Sequence, residues 1–133
     1  MKKLALVSLI VLMLSACTIM PVHNVRNKPY YHPRPAVVVS YTQIENVIIG
    51  VVIDRGWKAR VIRPGLIEAR IFDGYSSATI HIEYTSDVYS IRYIDSNNMR
   101  YKNGNIHRNY NNWVETLSRD IEGAMRNADI RRR

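Results

Sequence analysis

The middle of the chain alternates between apolar and polar residues over four consecutive runs, and this pattern constrains the fold most. The runs cover residues 57–63, 66–72, 77–85 and 88–94 of the 133-residue chain. A period of two places apolar side chains on one face of a β-strand. The runs are separated by Pro64-Gly65, Asp73-Gly74 and Ser86-Asp87, which are pairs typical of tight turns. Such short connections predict a four-stranded antiparallel meander.

The predicted sheet has one apolar face and one charged face. The apolar side chains are Trp57, Ala59, Val61, Ile67, Ala69, Ile71, Ala78, Ile80, Ile82, Tyr84, Tyr89, Ile91 and Tyr93. The opposite face carries Lys58, Arg60, Glu68, Arg70, His81, Glu83 and Arg92. One-sided burial of this kind requires other elements to cover the apolar face.

Two amphipathic segments flank the strands and are predicted to be the covering helices. Thr42 and Glu45 fit a capping box at the start of the first helix, and Gly56 is its natural stop. The many β-branched residues of this segment leave a strand as the alternative. The second helix is predicted over residues 109–126, with Asn109 as N-cap. The predicted class is α+β: a four-stranded antiparallel meander with N- and C-terminal helices packed on one face.

The start of the chain has the order of a secretory signal peptide. Lys2 and Lys3 precede an apolar run that is too short to span a bilayer comfortably. The run ends in Leu14-Ser15-Ala16-Cys17, which resembles the lipobox of bacterial lipoproteins. The resemblance implies cleavage before Cys17, a diacylglyceryl thioether on its sulfur and an acyl group such as palmitate on the new amino terminus. Because Cys17 is the sole cysteine, no thiol remains for a disulfide or a zinc site.

The chain is expected to consist of three parts. Residues 1–16 form the lipoprotein signal peptide, residues 17–40 the lipidated cysteine with a proline-rich tether, and residues 41–133 the α+β domain. An extended tether at about 3.1 Å per residue would reach roughly 70 Å from the membrane. A solvated linker is favoured over a segment that rests on an anionic membrane surface. His23 and His32 lack partners at metal-ligand spacing, so no metal site is predicted there.

A polar loop is predicted over residues 95–106, between the last strand and the second helix. Such a length is unusual in so small a domain, which makes this the most plausible functional loop. The candidate loop residues are Ser96, Asn97, Asn98, Arg100, Tyr101 and, just beyond, His107.

Several short pieces of sequence look like those of small, uncharacterised lipoproteins of Gram-negative envelopes. They are Gly56-Trp57, Pro64-Gly65, Tyr84, Tyr89, Tyr93, Ser96-Asn97-Asn98-Met99, Ile106-His107 and Tyr110-Asn111-Asn112-Trp113-Val114. The likeness covers about residues 43–122 and implies fold and location only. The architecture is also similar to helix-grip domains of outer-membrane-assembly lipoproteins. Thr18, where lipoproteins retained in the inner membrane typically carry Asp, implies an outer-membrane protein whose domain faces the periplasm.

The sequence favours a non-enzymatic binding or scaffolding module, with no catalytic residue and no cofactor. Its formal net charge is +8, or +6 once Lys2 and Lys3 are removed with the signal peptide, which suits anionic partners. The expected partners are the membrane, through the lipid on Cys17, and an envelope protein or anionic envelope component. Export argues against nucleic acid.

Two alternatives to this module stay open. One is a small envelope hydrolase that uses His81 or His107 with Glu83 for acid–base chemistry. The other is a binder of anionic lipid, lipopolysaccharide or glycan. Its contacts would be Lys58, Arg60, Arg70 and Arg92.

Overall fold

A computed structural model describes residues 18–30 and 40–130 of the chain. The predicted signal peptide over 1–16, Cys17, and residues 31–39 and 131–133 lie outside the described residues. In chain order the elements are β1 (Ile19–Pro21), β2 (Val25–Pro29), α1 (Tyr41–Asp54), β3 (Lys58–Arg63), β4 (Leu66–Phe72), β5 (Ser77–Tyr84), β6 (Val88–Asn97), β7 (Asn105–His107) and α2 (Arg108–Ile130). The described part of the chain is α+β, as predicted, with two helices, a five-stranded antiparallel sheet and a two-stranded sheet.

The large sheet has one strand more than the sequence predicted. Its order is β2-β6-β5-β4-β3, so the extra strand lies at the edge beside β6. There Val25 faces Ile91 and Lys28 faces Tyr89 across the pair. The small sheet pairs β1 with β7 in antiparallel fashion. Both new strands come from the segment that was predicted to be a tether, which corrects the predicted start of the folded domain at residue 41.

Prolines explain why this segment was not recognised as strand. Pro21 is the last residue of β1 and Pro29 the last of β2. A proline cannot donate to a sheet ladder, but it is tolerated at an edge or at a strand end. The two prolines therefore end β1 and β2 but are compatible with the formation of both strands.

Positive backbone angles at glycine shape two of the turns. Gly65 has φ of +88° after Pro64, as a type II turn requires, and a Cβ there would meet the Tyr84 carbonyl oxygen at 3.3 Å. Asn103 and Gly104 have φ of +52° and +76°, and this turn leads directly into β7. The loop between β6 and β7 covers residues 98–104. It is shorter than the predicted loop over 95–106, because β6 continues to Asn97 and β7 begins at Asn105.

Each helix begins earlier than its pattern suggested. The N-cap of α1 is Ser40, whose side chain accepts from the Gln43 N–H while the Gln43 side chain accepts from the Ser40 N–H. This capping box replaces the predicted one at Thr42 and Glu45, and Glu45 instead accepts a hydrogen bond from the Tyr84 hydroxyl. The second helix covers Arg108–Ile130 rather than 109–126.

One apolar core joins the sheet to both helices. The helices contribute Ile44, Ile48, Val51, Val52, Tyr110, Val114, Leu117, Ile121 and Met125. The five-stranded sheet contributes Val25, Ile67, Ala69, Ala78, Ile80, Ile82, Tyr84, Tyr89 and Ile91. Val61 departs from the predicted apolar face, since it lies on the edge strand β3 and is 41 % exposed.

Candidate functional site

The charged face of the sheet is organised as a row of side chains that crosses four strands. Arg60 on β3 faces Glu68 on β4, Glu68 faces His81 on β5, and His81 faces Arg92 on β6. The register of the ladders creates this row, because directly opposed residues point to the same side of the sheet. The row unites residues that the alternation pattern had assigned to this face.

Glu68 is the centre of the row. Its Oε1 accepts a hydrogen bond from Arg60 Nη2 at 3.2 Å and lies 3.4 Å from Arg70 Nε. Its Oε2 lies 3.2 Å from His81 Nε2. The hydrogen bond with His81 and the two guanidinium groups hold the pKa of Glu68 below its usual value. The Glu68 carboxylate therefore neutralises part of the positive charge of the basic residues on this face.

The histidine–glutamate pairs that the hydrolase alternative requires are not brought together. Glu83 pairs with Arg92 at 2.9 Å, while His81 is bonded to Glu68. His107 lies on β7, where its Nδ1 accepts the Asn109 N–H at 3.2 Å. Glu83 and His107 are thus engaged by different partners on different elements.

Lys58 and Arg70 are the members of the basic set that share an open space. They face each other across β3 and β4 and line one cavity of about 440 Å³. Phe72 and Asp95 line the same cavity. Arg60 and Arg92 are not among its lining residues, and Arg60, Arg70 and Arg92 are each paired with a carboxylate.

A second cavity, of about 510 Å³, lies beside the first described residue, and we call it the Thr18 cavity. Its lining residues are Thr18, Asp73, Tyr75, Ser76, Asn98, Met99, Arg100, His107 and Asn109. Thr18 precedes β1, and the other lining residues come from β7, the start of α2, the β4–β5 turn and the segment after β6. Three of the candidate loop residues, Asn98, Arg100 and His107, thus lie together here.

The other candidate loop residues are held by their own contacts. Tyr101 stacks on Tyr93 with ring centroids 4.4 Å apart. Ser96 shares a hydrogen bond of 2.8 Å with the Tyr93 hydroxyl. Asn97 ends β6 opposite Ser77. The predicted functional loop therefore divides between the end of β6 and the Thr18 cavity.

The groove between β2 and α2 was missed by sequence reasoning. It encloses about 550 Å³ and is bridged by an ion pair of 2.7 Å between Lys28 and Glu122. His23 lines the groove, and its backbone N–H donates to Asn111 Oδ1 at 2.9 Å. Only the assignment of residues 25–29 to a strand would have revealed this groove, and Pro21 and Pro29 concealed that strand.

Neither a metal centre nor a spanning helix is found in the described ranges 18–30 and 40–130. No group of three or more histidine, cysteine or acidic residues there is arranged to hold a metal ion. No helix among the same residues has both the length and the apolar character to cross a bilayer. Comparisons of the chain with protein-family models, curated proteins and solved structures found no match.

Proposed function

We propose that the protein is a lipid-anchored lipoprotein of the outer membrane whose domain binds or scaffolds other envelope components without catalysing a reaction. The observation that carries this proposal is the lipobox-like Leu14-Ser15-Ala16-Cys17, which ends directly before Thr18, the first described residue. The Thr18 carbonyl accepts the Arg108 N–H at 2.8 Å, and the next residue, Ile19, pairs with His107. A lipid on Cys17 would consequently be joined to the folded domain by a single peptide bond.

The charged face supports binding rather than chemistry. His81 and the flanking arginines converge on Glu68 and form an interlocked surface across the strands. His81 and Glu68 belong to a row of charged side chains that crosses four strands, which supports contact with a charged partner over an extended surface.

We infer that the architecture is helix-grip-like, with both helices on the apolar side of a meander. Buried residues of α1 and α2 and the buried residues of β4, β5 and β6 belong to one core cluster, which supports this arrangement. The opposite side of the sheet is then left for partners in the envelope.

The anchor is tested by Cys17→Ser, expressed with its signal peptide in a Gram-negative host. Wild type should carry the mass of a diacylglyceryl group and sediment with outer membranes. The variant should accumulate as an unprocessed precursor without acyl mass. Thr18→Ser is the matched control, because it alters the neighbouring residue and keeps the cysteine. A variant of mature size in the outer membrane would refute lipid anchoring through Cys17.

The binding role is tested by site-specific photocrosslinking in intact cells. A photoreactive side chain at Arg92, on the charged face, should capture a discrete envelope species. The same side chain at Asn112, on the exposed side of α2, serves as the control. Equal and diffuse capture at both sites would contradict a specific binding role for the sheet face.

We propose anionic-ligand binding as a second candidate function, centred on Lys58 and Arg70. Those two cations line one cavity, whereas Arg60 and Arg92 are not among its lining residues. In the Cys17→Ser mature chain, which is residues 17–133 expressed without the signal peptide, Lys58→Ala/Arg70→Ala should weaken co-sedimentation with anionic vesicles at low salt. The matched Arg60→Ala/Arg92→Ala pair should weaken it less, and added salt should abolish the difference. Equal effects of the two pairs would contradict this assignment.

A further inference from the structure

The first residue after the predicted lipidation site lies at one defined end of the domain. Thr18 lines the Thr18 cavity together with Tyr75 of the β4–β5 turn and Arg100 of the segment after β6. Thr18 directly follows Cys17 in the sequence, so a lipid on Cys17 would be separated from Thr18 by one peptide bond. Acyl chains on Cys17 would therefore enter the bilayer next to these residues and not at the end of a long tether.

The same end carries the most exposed aromatic side chains of the described residues. Tyr75 is 74 % exposed and Phe72 is 71 % exposed, and they flank the Asp73-Gly74 turn. Isolated exposed apolar residues are common, but here two exposed aromatic rings lie on either side of one hairpin turn. Tyrosine in particular favours the boundary between lipid and water, where its ring is buried and its hydroxyl is hydrated.

The hairpin tip is held in place by hydrogen bonds. Asp73 Oδ1 accepts the N–H groups of Tyr75 and Ser76 at 2.9 and 2.7 Å. Ser76 Oγ donates to the Asn98 carbonyl at 3.0 Å, and Asn98 Nδ2 donates to the Tyr75 carbonyl at 2.9 Å. These bonds link the tip to the segment after β6, so Tyr75 is presented without a large ordering cost.

Basic side chains share two cavities with residues of the tip. Arg100 lines the Thr18 cavity, and Lys58 and Arg70 line the cavity that Phe72 shares. The Asp73 carboxylate is bonded to backbone amides, which hold its pKa below its usual value. Cations within reach of an anionic leaflet add about 1 kcal/mol each to membrane attraction.

We propose that this end of the domain, formed by Thr18, the hairpin tip at Phe72 and Tyr75, and Arg100, lies directly on the lipid surface. The aromatic rings enter the interfacial region and the basic side chains contact anionic headgroups. The orientation rests on the proposed lipidation of Cys17. It leaves the opposite end of the sheet, at the β5–β6 turn, facing away from the membrane.

The test places an environment-sensitive label at each end of the lipidated full-length protein. Acylation blocks the sulfur of Cys17, the sole native cysteine, so a maleimide fluorophore labels only an introduced cysteine. Tyr75→Cys and Phe72→Cys mark the hairpin tip, and Asp87→Cys marks the β5–β6 turn. The eight residues of β5, at about 3.4 Å each, separate the two ends by roughly 27 Å. Each protein is reconstituted in phosphatidylethanolamine–phosphatidylglycerol vesicles that contain nitroxide-labelled lipids.

The tip labels should be quenched several-fold more strongly than the Asp87 label, and their emission should shift to the blue. Equal, weak quenching at both ends of a protein that is acylated and bound to vesicles would overturn the orientation alone. Absence of acyl mass and of vesicle binding in wild type would overturn the anchor and, with it, the orientation. Strong tip quenching in phosphatidylcholine vesicles as well would assign the contact to the aromatic rings rather than to the cations.

Discussion

The two faces of the large sheet are built from alternate residues of the same strands, yet they differ in how they are stabilised. On the inner face, side chains such as Ile80 and Ile82 are fully buried in one core with both helices. On the outer face, Arg60 and Arg70 form ion pairs with Glu68, and His81 is hydrogen-bonded to it, in partial contact with solvent. Buried apolar area stabilises a fold by far more than exposed ion pairs do. Alternate residues of one strand therefore have different roles: those on the inner face stabilise the fold, and those on the outer face form the charged surface.

The largest contrast is expected between two adjacent residues of β5. Ile82→Ala removes a fully buried side chain from the central strand and should lower the free energy of unfolding by about 2–5 kcal/mol. His81→Ala, next to it on the outer face, should cost no more than about 1 kcal/mol. Urea denaturation of the Cys17→Ser mature chain measures both. Similar losses would show that the outer row contributes as much to stability as the core.

The second prediction asks whether the N-terminal segment belongs to the inner face. Val25 is 7 % exposed, and its neighbour Arg26 is exposed. Because β2 completes the sheet, Val25→Ala should cost about 1–3 kcal/mol, and Arg26→Ala should cost close to zero. Thermal unfolding of the two variants supplies the comparison. If both midpoints match wild type, residues 18–30 behave as the tether that their prolines suggest.

The two faces also mark how far the sequence could predict the fold. Alternation depends on strand geometry alone, so it located β3 to β6 and the sides on which Ile82 and His81 lie. The strands β1 and β2 are short, and their pairing depends on distant partners such as Ile91 and His107, which no local pattern reveals. The turn at Asn103 and Gly104 has a local signal, since Asn-Gly is a strong indicator of a hairpin turn, although the polar composition of residues 95–106 predicts a loop.

The candidate site was predictable in its members but not in its pairings. The sequence placed Lys58, Arg60, Arg70 and Arg92 on one face, but only the register shows that Glu68 contacts two of them. A carboxylate between several cations can pair with any of them. Which pairs form depends on side-chain geometry across strands, and this is not encoded in alternation.

A smaller effect is expected within the core, between two buried tyrosines, Tyr89 on the inner face of the sheet and Tyr110 on α2. The Tyr89 hydroxyl contacts Ser118 Oγ at 2.6 Å, and burial raises its pKa to about 12, so it stays protonated near neutral pH. Tyr89→Phe leaves Ser118 without this bond and should cost about 1 kcal/mol. Within the described residues the buried Tyr110 hydroxyl has no hydrogen-bond partner. Tyr110→Phe should therefore be neutral or slightly stabilising in denaturant titrations, and a loss equal to that of Tyr89→Phe would show that Tyr110 is hydrogen-bonded in solution.

The smallest effect is expected on the outer face and should depend on pH. Glu68 has a lowered pKa because the hydrogen bond with His81 and the arginines Arg60 and Arg70 favour its ionised form. A carboxylate whose pKa falls on folding stabilises the native state above its unfolded pKa, about 4.3 for glutamate, and loses that contribution as pH falls through the folded value. Glu68→Gln should therefore lower stability at pH 7 by no more than about 1 kcal/mol, and the difference should vanish in acid.

Glu83→Gln, which removes the carboxylate paired with Arg92 at 2.9 Å, is the matched control for a carboxylate with a single cation partner. If the stability difference between wild type and Glu68→Gln were constant from pH 7 into acid, the row across the four strands would hold its shape by packing rather than by charge.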